Sequence, residues 1–350
     1  MRLLLLNLVT DADSPVQGFT TVWINALARR CEYVDVLTMR GGRIAVAENV
    51  RVFSVGKERG YSEPRRLLEF YRLLNRLLLE RAYDACFAHM NTLFTILAAP
   101  LLKPRGIPVT LWYAHGAVTP KLRLAEKLAD QVVTSSPEGF RLPSSKLTII
   151  GQGIDTNVFT PAAEYTQRPF TFVSVSRLAP VKRVEVMIEA ARLLAQRGDL
   201  PPFRLRIFGT AEPKYAAYQQ GLHELVARHD LQALVEFAGP VAYADVPAAY
   251  QAADVMVNTS QTGSVDKAVL EAMACALPVI SANEAFQPIL RKWDDLLLIP
   301  PDAPDVLAER LRRLMQMSPE ARRSLGCALR EIVVRDHSLE QLVERLMRIF

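Results

Sequence analysis

Residues 258–280 read NTSQTGSVDKAVLEAMACALPVI, and this stretch does most to decide the fold. A loop rich in Gly, Ser and Thr leads into a helix-like segment, which ends just before the apolar run Pro-Val-Ile. After a strand, such a loop leaves the unpaired N–H groups of the next helix facing a cavity, where an anion is favoured. Asp266 is placed to cap this helix, and Glu271 lies inside it. Because strand–loop–helix units occur throughout α/β proteins, the rest of the chain must decide whether this one binds a nucleotide.

The composition predicts a reduced, two-domain protein. At 350 residues the chain exceeds the roughly 100 to 200 residues of a typical domain. The four cysteines have no spacing that is typical of a zinc site or a redox motif. They are Cys31, Cys86, Cys275 and Cys327. We therefore predict a cytoplasmic location.

The amino terminus, MRLLLLNLVTDADS, has some features of a short signal peptide. Asn7 interrupts its apolar run, however, and no small-residue cleavage site follows. A buried first strand is the better interpretation. The chain has no apolar run of the roughly 18 residues that a membrane span needs, and the segment 93–102 comes nearest.

The positive charge belongs to the first half of the chain. Residues 1–160 carry 20 Lys and Arg against 14 Asp and Glu, whereas residues 161–350 carry 22 against 23. This excess favours an acidic surface or an anionic substrate for the first half. It is too small to indicate nucleic acid.

Short apolar, β-rich runs alternate with helix-like segments along the chain. In the first half the runs are 3–9, 34–38, 50–55, 85–89, 109–113, 132–135 and 147–150. In the second half they are 170–176, 205–209, 235–238, 255–258 and 278–282. Alternation of this kind predicts an α/β fold with doubly wound parallel sheets. The polar stretch 151–169, with two Gly and two Pro, separates the series, so we predict two domains that face one another across a cleft.

The segment 64–81 is the strongest amphipathic helix in the sequence. Its charged face carries Arg65, Glu69, Arg72, Arg76 and Glu80. The favoured interpretation is a surface helix in which Glu69 pairs with Arg72 and Arg76 while the leucines pack on the sheet. The alternative is a basic helix that lies on an anionic membrane.

Two residues of the first half are expected at the carboxyl edge of its sheet, where open α/β sheets bind ligands. Gly18 ends the loop DADSPVQG after the first strand, and His115 closes the strand LWYAHG. A single His at a strand end is either structural or functional, and both interpretations stay open. No G-x-G-x-x-G follows the first strand, so the usual dinucleotide fingerprint is absent.

In the second half, Arg177 and Lys182 follow the first strand within SRLAPVKR. Such a pair can neutralise a diphosphate, the guanidinium through its fork of donors and the amine as a point charge. The alternative is two solvated surface charges. Gly209 ends the next strand at the same edge, so three loops that favour anions are expected to converge.

Six fragments of the sequence together resemble the retaining GT-B glycosyltransferases of the family-four, glycogen-synthase-like type. They are GQGIDTNVF, VSVSRLAPVKRVEVMIEA, RIFGTAE, VEFAGPV, AYQAADVMVNTS and VLEAMACALPVIS, in the family's order. The resemblance runs through nearly the whole chain and implies two Rossmann-like domains. It implies an acceptor-side domain over 1–160 and a nucleotide-sugar donor domain over 161–350. It also implies a last helix, about 338–350, that packs back on the first domain.

The resemblance implies a role for each matching residue. Arg177 and Lys182 match the pair that holds the donor diphosphate, and Glu271 matches the glutamate that accepts hydrogen bonds from the ribose hydroxyls. His115 matches the amino-domain His near the donor sugar, and Gly18 matches the glycine loop that faces the diphosphate. The other donor-binding candidates are Gly209, Gly263, Ser264, Asp266, Lys267 and Leu270. No bound metal or cofactor is expected, because helix N-termini, Arg and Lys supply the positive field and no D-x-D motif occurs in a suitable place.

The sequence departs from the family pattern at the donor loop. The family has two glutamates separated by seven residues, and Gly263 stands in place of the first. The contacts to the donor sugar are therefore expected to differ from those of the family. Asp266 either restores a carboxylate to the pocket or only caps the helix, and Lys267 either contacts phosphate or faces solvent. The family's glycine before the Pro-Val strand is also changed, to Ala276 and Leu277.

The implied reaction moves a sugar from a nucleotide diphosphate sugar to an acceptor hydroxyl with retention at the anomeric carbon. The resemblance places it in surface polysaccharide or glycolipid assembly. The expected partners are the donor, a saccharide or lipid-linked acceptor, and an anionic membrane touched peripherally at the inner face of the plasma membrane. Two alternatives stay open: a catalytically silent relative that binds a nucleotide sugar or a partner transferase, and a sugar-nucleotide epimerase.

Overall fold

The structure of the protein is a computed structural model that describes residues 1–14, 17–163 and 168–350. It divides into two compact units, Met1–Gly153 with Leu339–Phe350, and Ile154–Ser338. Parts of two predicted loops lie outside the described residues, namely residues 15 and 16 of the loop 11–18 and residues 164–167 of the stretch 151–169.

A seven-stranded parallel sheet forms the centre of the first unit. Its strands are β1 (Arg2–Thr10), β2 (Tyr33–Gly41), β3 (Val50–Ser54), β4 (Ala85–His89), β5 (Val109–Trp112), β6 (Gln131–Thr134) and β7 (Leu147–Ile149). Their spatial order is β3-β2-β1-β4-β5-β6-β7. The chain order reverses between β1 and β4, so the sheet is doubly wound.

Helices cover both faces of this sheet. They are α1 (Phe19–Ala28), α2 (Glu63–Glu80), α3 (Thr92–Leu102) and α4 (Pro120–Leu128). α2, α3 and α4 share one core with Leu4 and Leu6 of β1, and α1 packs against Leu3 and Leu5 on the other face. Because β1 is covered on both sides, its sequence is a continuous apolar run instead of an alternating one.

A five-stranded parallel sheet forms the centre of the second unit. Its strands are β8 (Phe170–Val175), β9 (Phe203–Phe208), β10 (Val235–Gly239), β11 (Val255–Asn258) and β12 (Val279–Ser281), in the spatial order β10-β9-β8-β11-β12. The helices are α5 (Val184–Ala195), α6 (Ala216–Arg228), α7 (Val246–Gln251), α8 (Lys267–Ala274), α9 (Gln287–Leu290), α10 (Asp294–Leu297), α11 (Pro304–Gln316) and α12 (Pro319–Ile332). The sheet and these helices enclose one continuous hydrophobic core.

The last helix, α13 (Leu339–Ile349), belongs to the first unit. Its Leu342 and Leu346 are buried with Trp23 of α1 in the core on that face of the sheet. The indole Nε1 of Trp23 donates to the carbonyl of Gly153 at 3.0 Å. Trp23 thus contacts both α13 and Gly153, the last residue of the segment Met1–Gly153.

The predicted fold class is confirmed: the chain is α/β, with two doubly wound parallel sheets. Each predicted apolar run forms a strand, with small differences at the ends. One of these differences concerns a site candidate. β5 ends at Trp112, so His115 lies three residues beyond the strand, and the prediction that it closes the strand is wrong.

The ion pairs of α2 differ in part from the predicted ones. Arg72 pairs with Glu69 at 2.5 Å, as predicted. Arg76, however, pairs with Glu80 at 2.6 Å and not with Glu69. A guanidinium at i can reach a carboxylate at i+4 on the same helix face, and Glu69 is already engaged.

The leucines of α2 are not all packed on the sheet. Leu68 and Leu79 are 73% and 85% exposed, on the same side of the helix as Arg72. Leu73, Leu74 and Leu77 are buried. The prediction that the leucines form one buried face is therefore wrong for these two and for Leu67, which is 42% exposed. Of the described helices, none is both long and apolar enough to cross a membrane.

The carboxyl end of α8 turns sharply at Ala276, whose φ is +55°. The N–H of Leu277 donates to the Ala272 carbonyl at 3.1 Å, and the N–H of Ala276 donates to the Met273 carbonyl at 2.9 Å. These two bonds define a Schellman motif, which usually contains glycine at this position. The turn explains the glycine of the family pattern. α12 crosses the corner at Gly326, where an added Cβ would lie 1.8 Å from the Ala276 carbonyl oxygen.

Candidate active site

The carboxyl edge of the second sheet gathers the loops that follow β8, β9, β11 and β12. β8 and β11 are neighbours, and the chain order reverses between them. A reversal of this kind leaves a crevice at the strand ends, because the two loops turn to opposite faces of the sheet. Lys182 lies in the loop after β8, and Asp266 lies in the loop after β11.

Lys182 and Asp266 form an ion pair at this crevice. The Lys182 Nζ lies 2.8 Å from the Asp266 Oδ1, and the two side chains are only 15% and 13% exposed. The same Nζ donates to the Ser260 Oγ at 3.2 Å. Because little water reaches the pair, salt screens it less than a surface pair.

The second carboxylate oxygen of Asp266 accepts bonds from neutral side chains. Asn258 and Asn283 each donate through Nδ2 at 3.1 Å, and the Thr262 Oγ1 donates at 3.4 Å. Burial alone raises the pKa of the Asp266 carboxyl, but the charge of Lys182 and the hydrogen bonds outweigh it and bring that pKa below its ordinary value. Asp266 is therefore ionised at neutral pH.

Asp266 occupies the N-cap position of α8, but its side chain accepts no hydrogen bond from the helix N–H groups. The prediction that Asp266 caps this helix is therefore wrong. The physical reason is competition, because both oxygens turn toward Lys182 and the two asparagines. The first turn of α8 does not use this carboxylate to satisfy its N–H groups.

Side-chain and backbone bonds join the loops after β8 and β11. The Thr259 Oγ1 donates to the carbonyls of Lys182 and Arg183 at 2.8 and 2.9 Å. The Gln261 N–H donates to the Val181 carbonyl at 3.0 Å. The position of the Lys182 backbone is therefore set by the loop that carries Asp266.

Arg177 lies two residues beyond β8 and pairs with Glu212, which follows β9. The guanidinium Nη1 lies 2.5 Å from the Glu212 Oε1, and the side chains are 51% and 40% exposed. Lys214 contacts the other oxygen of Glu212 at 3.2 Å. Hydrogen bonds from Lys214 and Arg177 lower the pKa of the Glu212 carboxyl. The unit thus supplies its own carboxylate to a cation that the sequence predicted to hold a diphosphate.

Gly209 sets the spacing of these two loops. Its φ is +134°, and an added Cβ would lie 1.8 Å from the Ser176 carbonyl oxygen. Glycine is required here because the backbone of the loop before Arg177 approaches so closely. Gly209 also donates its N–H to the Gly239 carbonyl at 2.8 Å.

Lys267 and Glu271 lie one turn apart on α8. Glu271 is buried and Lys267 is half-buried. Burial raises the pKa of the Glu271 carboxyl, while the charge of Lys267 and a hydrogen bond from the Tyr243 hydroxyl act in the opposite direction. Burial also lowers the pKa of the Lys267 amine, against the charge of Glu271. Lys267 thus interacts with the carboxylate that the family resemblance assigns to a ribose.

The remaining candidates of the donor loop differ in what they offer a ligand. Gly263 has a φ of +63°, a left-handed conformation that disfavours a side chain such as that of Glu. Ser264 is half-buried, and its carbonyl accepts the Asn283 amide at 2.8 Å. Leu270 is fully buried in the core of the unit. Its side chain packs in that core, and its place in the donor-binding set stays a prediction.

Gly18 and His115 lie at the carboxyl edge of the first sheet. Gly18 is the buried residue that precedes α1. His115 is exposed, and its Nδ1 accepts the Ala117 N–H at 3.1 Å. In the neutral imidazole the proton therefore sits on Nε2. His89, which sequence analysis missed, ends β4 and is buried with its ring centroid 4.9 Å from that of Trp23.

Sequence analysis also missed several polar partners in the second unit. Asn258 is the last residue of β11 and Ser260 lies two residues beyond it, both within the stretch 258–280. Their position at a strand end is a signal that could have identified them. Asn283 and Glu212 follow β12 and β9 at the same edge, but nothing in their residue type separates them from other polar loop residues. Across residues 1–14, 17–163 and 168–350, no group of three or more His, Cys, Asp or Glu could hold a metal ion.

Two protein-family models match the chain. The model of Glycosyl transferases group 1 matches residues 159–331, and the model of Glycosyltransferase Family 4 matches residues 19–158. Together they extend over residues 19–331 and contain all the site candidates except Gly18.

The chain is similar to curated glycosyltransferases over part of their length. It is 29% identical over 211 residues to WcaL of Escherichia coli K12, a protein named for colanic acid biosynthesis, covering 58% of this chain and 50% of that protein. It is 30% identical over 149 residues to the D-inositol 3-phosphate glycosyltransferase of Kineococcus radiotolerans, covering 39% of this chain and 34% of that protein. The chain spans half or less of the length of these relatives.

Solved structures match the fold along the whole chain. Anabaena Alr3699/HepE in complex with UDP gives a TM-score of 0.77 at 17% identity, with 100% of this chain and 99% of that chain covered. The sucrose-phosphate synthase of Thermosynechococcus elongatus gives 0.78 at 18% identity, with 100% and 98% covered. At such identities the likeness concerns the fold alone, and that fold is GT-B.

Proposed function

This chain belongs to the glycosyl transferases group 1 family, and from that membership we propose that it transfers a sugar from a nucleotide diphosphate sugar to an acceptor hydroxyl. One observation carries the proposal. Lys182 lies at the carboxyl ends of the neighbouring strands β8 and β11, beside the start of α8. This is where an α/β sheet favours a phosphate. The solved complex of a GT-B neighbour with UDP supports the same ligand class.

In the proposed reaction Arg177 and Lys182 bind the diphosphate and stabilise the charge that grows on it as the bond to the sugar breaks. Glu271 accepts hydrogen bonds from the ribose, Gly18 faces the diphosphate, and His115 lies near the donor sugar. The acceptor oxygen forms its bond to the anomeric carbon on the face from which the diphosphate leaves, and the leaving phosphate oxygen takes the acceptor proton, so the configuration is retained. Protein cations supply the positive charge, so the transfer is proposed to need no metal.

A second candidate function is a catalytically silent relative that binds a nucleotide sugar or a partner transferase. Two observations favour it. Gly263 brings no carboxylate to the donor loop, and Glu212 already occupies Arg177. A phosphate must therefore compete with Glu212 for one guanidinium nitrogen of Arg177 or bind through the other donors of that guanidinium.

The two functions are separated by a screen of UDP-, GDP- and ADP-sugars without acceptor. We expect one donor to bind and to release its nucleoside diphosphate slowly, at least about tenfold faster than in buffer alone. Product analysis by chromatography also detects an epimerised donor. Glu271→Gln keeps the shape of the side chain and should weaken binding of the same donor. Binding without release of the nucleoside diphosphate would favour the silent relative. An epimerised donor would favour a sugar-nucleotide epimerase, the other alternative that the sequence leaves open.

For the acceptor we propose a saccharide or a lipid-linked saccharide in surface polysaccharide or glycolipid assembly. The name of the colanic acid relative supports this class. The nucleotide, the sugar and the linkage are to be read from the donor screen followed by acceptor trials.

We also propose that the first unit touches an anionic membrane peripherally, with a cytoplasmic location at the inner face of the plasma membrane. Residues 63–128, which contain α2, α3 and α4, carry 10 Lys and Arg against 5 Asp and Glu. The exposed Leu68 and Leu79 of α2 share one helix side with Arg65, Arg72 and Arg76. Protruding leucines among arginines suit an interface of apolar chains and anionic headgroups.

Replacing both leucines, Leu68→Ser with Leu79→Ser, should weaken binding to vesicles that contain about 30% phosphatidylglycerol by about tenfold. Sedimentation at low salt measures the bound fraction. Ile149→Ser is the matched control, since Ile149 is also exposed in the same unit but lies on β7. Equal binding by the double variant and the wild type would contradict this contact.

A further inference from the structure

We propose that Asp266 is a positioning residue that fixes the Lys182 amine, and that it is not a ligand of the donor sugar. The inference rests on the proposed function and concerns the same site. The sequence left two roles open for Asp266, a sugar contact or a helix cap, and its contacts support neither.

The carboxylate of Asp266 is already bonded at both oxygens and is little exposed. A carboxylate offers about four lone-pair directions. Oδ1 accepts the Lys182 amine at 2.8 Å, and Oδ2 accepts Asn258, Asn283 and Thr262 at 3.1, 3.1 and 3.4 Å. Oδ2 thus has more donors than lone-pair directions, and Oδ1 belongs to a side chain that is only 13% exposed, so a sugar hydroxyl has little access to either oxygen.

The Lys182 amine is oriented by the same contacts. Its Nζ carries three N–H groups. Within the described part of the chain, two of them bond to the Asp266 Oδ1 and the Ser260 Oγ. One N–H therefore keeps a fixed direction for a ligand. Without Asp266, the four-carbon stem of the lysine would be free to sample other rotamers.

This role predicts which part of the donor Asp266 affects. Its effect passes through Lys182 to the diphosphate, which a nucleoside diphosphate and a nucleotide sugar share. A direct sugar contact would instead affect the nucleotide sugar alone. The ratio of two dissociation constants therefore separates the two roles.

The first measurement needs no nucleotide. Lys182 is labelled with acetic anhydride in the full chain, and mass spectrometry gives the rate for the peptide that contains it. Asp266→Asn should raise that rate at least about fivefold, because the amine loses its buried partner. Asp302→Asn is the matched control, since Asp302 pairs with the neighbouring Arg183 at 2.6 Å and is exposed. An unchanged rate in Asp266→Asn would overturn the proposal.

The second measurement compares UDP with UDP-glucose, GDP with GDP-glucose and ADP with ADP-glucose by calorimetry. In Asp266→Asn the ratio of the two dissociation constants should stay within about twofold of the wild-type ratio. A loss of about fivefold or more that is confined to the sugar conjugate would overturn the proposal and restore Asp266 as a sugar ligand.

Asn283→Ala keeps both charges and removes one donor to Asp266, so it serves if Asp266→Asn does not fold. It should raise the labelling of Lys182 in the same direction by a smaller factor, and an unchanged rate would again count against the proposal. If the wild type binds none of the six nucleotides, the proposed function fails. The labelling rates then still decide whether Asp266 holds Lys182.

Discussion

Replacing Lys182 with alanine is expected to lower the rate of sugar transfer by about 100- to 1,000-fold, the usual loss when one preorganised donor to a developing negative charge is removed. The reason is geometric as well as electrostatic. The amine is anchored by Asp266 and Ser260, so it needs no rearrangement to meet the charge on the leaving diphosphate. The rate is to be measured with a donor that the wild-type protein has been shown to turn over.

The same change is expected to destabilise the second unit. Lys182→Ala leaves the Asp266 carboxylate mostly buried without its cation. Breaking such a pair costs about 1–3 kcal/mol at this degree of exposure. Lys182→Ala with Asp266→Ala removes both charges, so it should recover most of that stability and none of the rate.

The stability loss should depend on pH in a fixed direction. In the wild type the pKa of Asp266 is lowered, so its contribution is present above the unfolded-state pKa of about 3.9 and is lost as pH falls through the lower folded-state value. In Lys182→Ala, burial dominates and raises that pKa. The variant should therefore approach the wild type in stability as the pH is lowered toward 4.

Kinetics with the best donor and thermal unfolding between about pH 4 and 8 check both effects. Arg204→Ala is a suitable control, because Arg204 is an exposed cation on β9 of the same unit. Unchanged turnover in Lys182→Ala would remove Lys182 from the reaction. Unchanged stability at neutral pH would show that the Lys182–Asp266 pair is not formed in solution.

Gly326→Ala is expected to destabilise the protein by about 1–3 kcal/mol, because helix packing leaves no space for one methyl group. An added Cβ would lie 1.8 Å from the oxygen and 2.7 Å from the carbon of the Ala276 carbonyl. Both atoms belong to the backbone at the end of α8, so neither can rotate away. α12 would have to move outward and lose part of its packing against α8.

Gly221→Ala provides the matched control for this prediction. Gly221 lies inside α6, is exposed, and would meet nothing within 4 Å of an added Cβ. The same substitution should there stabilise the helix by about 0.5–1 kcal/mol. Thermal unfolding of both variants tests the pair, and equal behaviour would show that the contact between α12 and α8 is looser than 1.8 Å implies.

The fold could be predicted from the sequence because each strand is short, apolar and followed by a helix-like segment. β4 and β11 begin and end where the apolar runs 85–89 and 255–258 do. The exposed Leu68 and Leu79 could not be predicted. Periodicity identifies the helix, but only packing decides which of many leucines touch the sheet.

The candidate site could be predicted only in part. The sequence predicts both Lys182 and Asp266 as site residues, because each follows a strand at the same sheet edge. Their ion pair could not be predicted, since it depends on the directions of two side chains that are 84 residues apart in the sequence. The same holds for Glu212, which contacts Arg177 from a separate loop. Local sequence signals report which loops meet, but not which atoms bond.

The corner at Ala276 has an evolutionary consequence. An L-residue in the left-handed region costs about 1–2 kcal/mol, and glycine avoids most of that cost. The carbonyl of the same residue lies against Gly326, so a backbone shift at Ala276 changes the space that is available at Gly326. Among descendants of this sequence, selection should therefore act on the two positions as a pair. A substitution at either position should be tolerated only while the other position keeps its present backbone conformation and side-chain size.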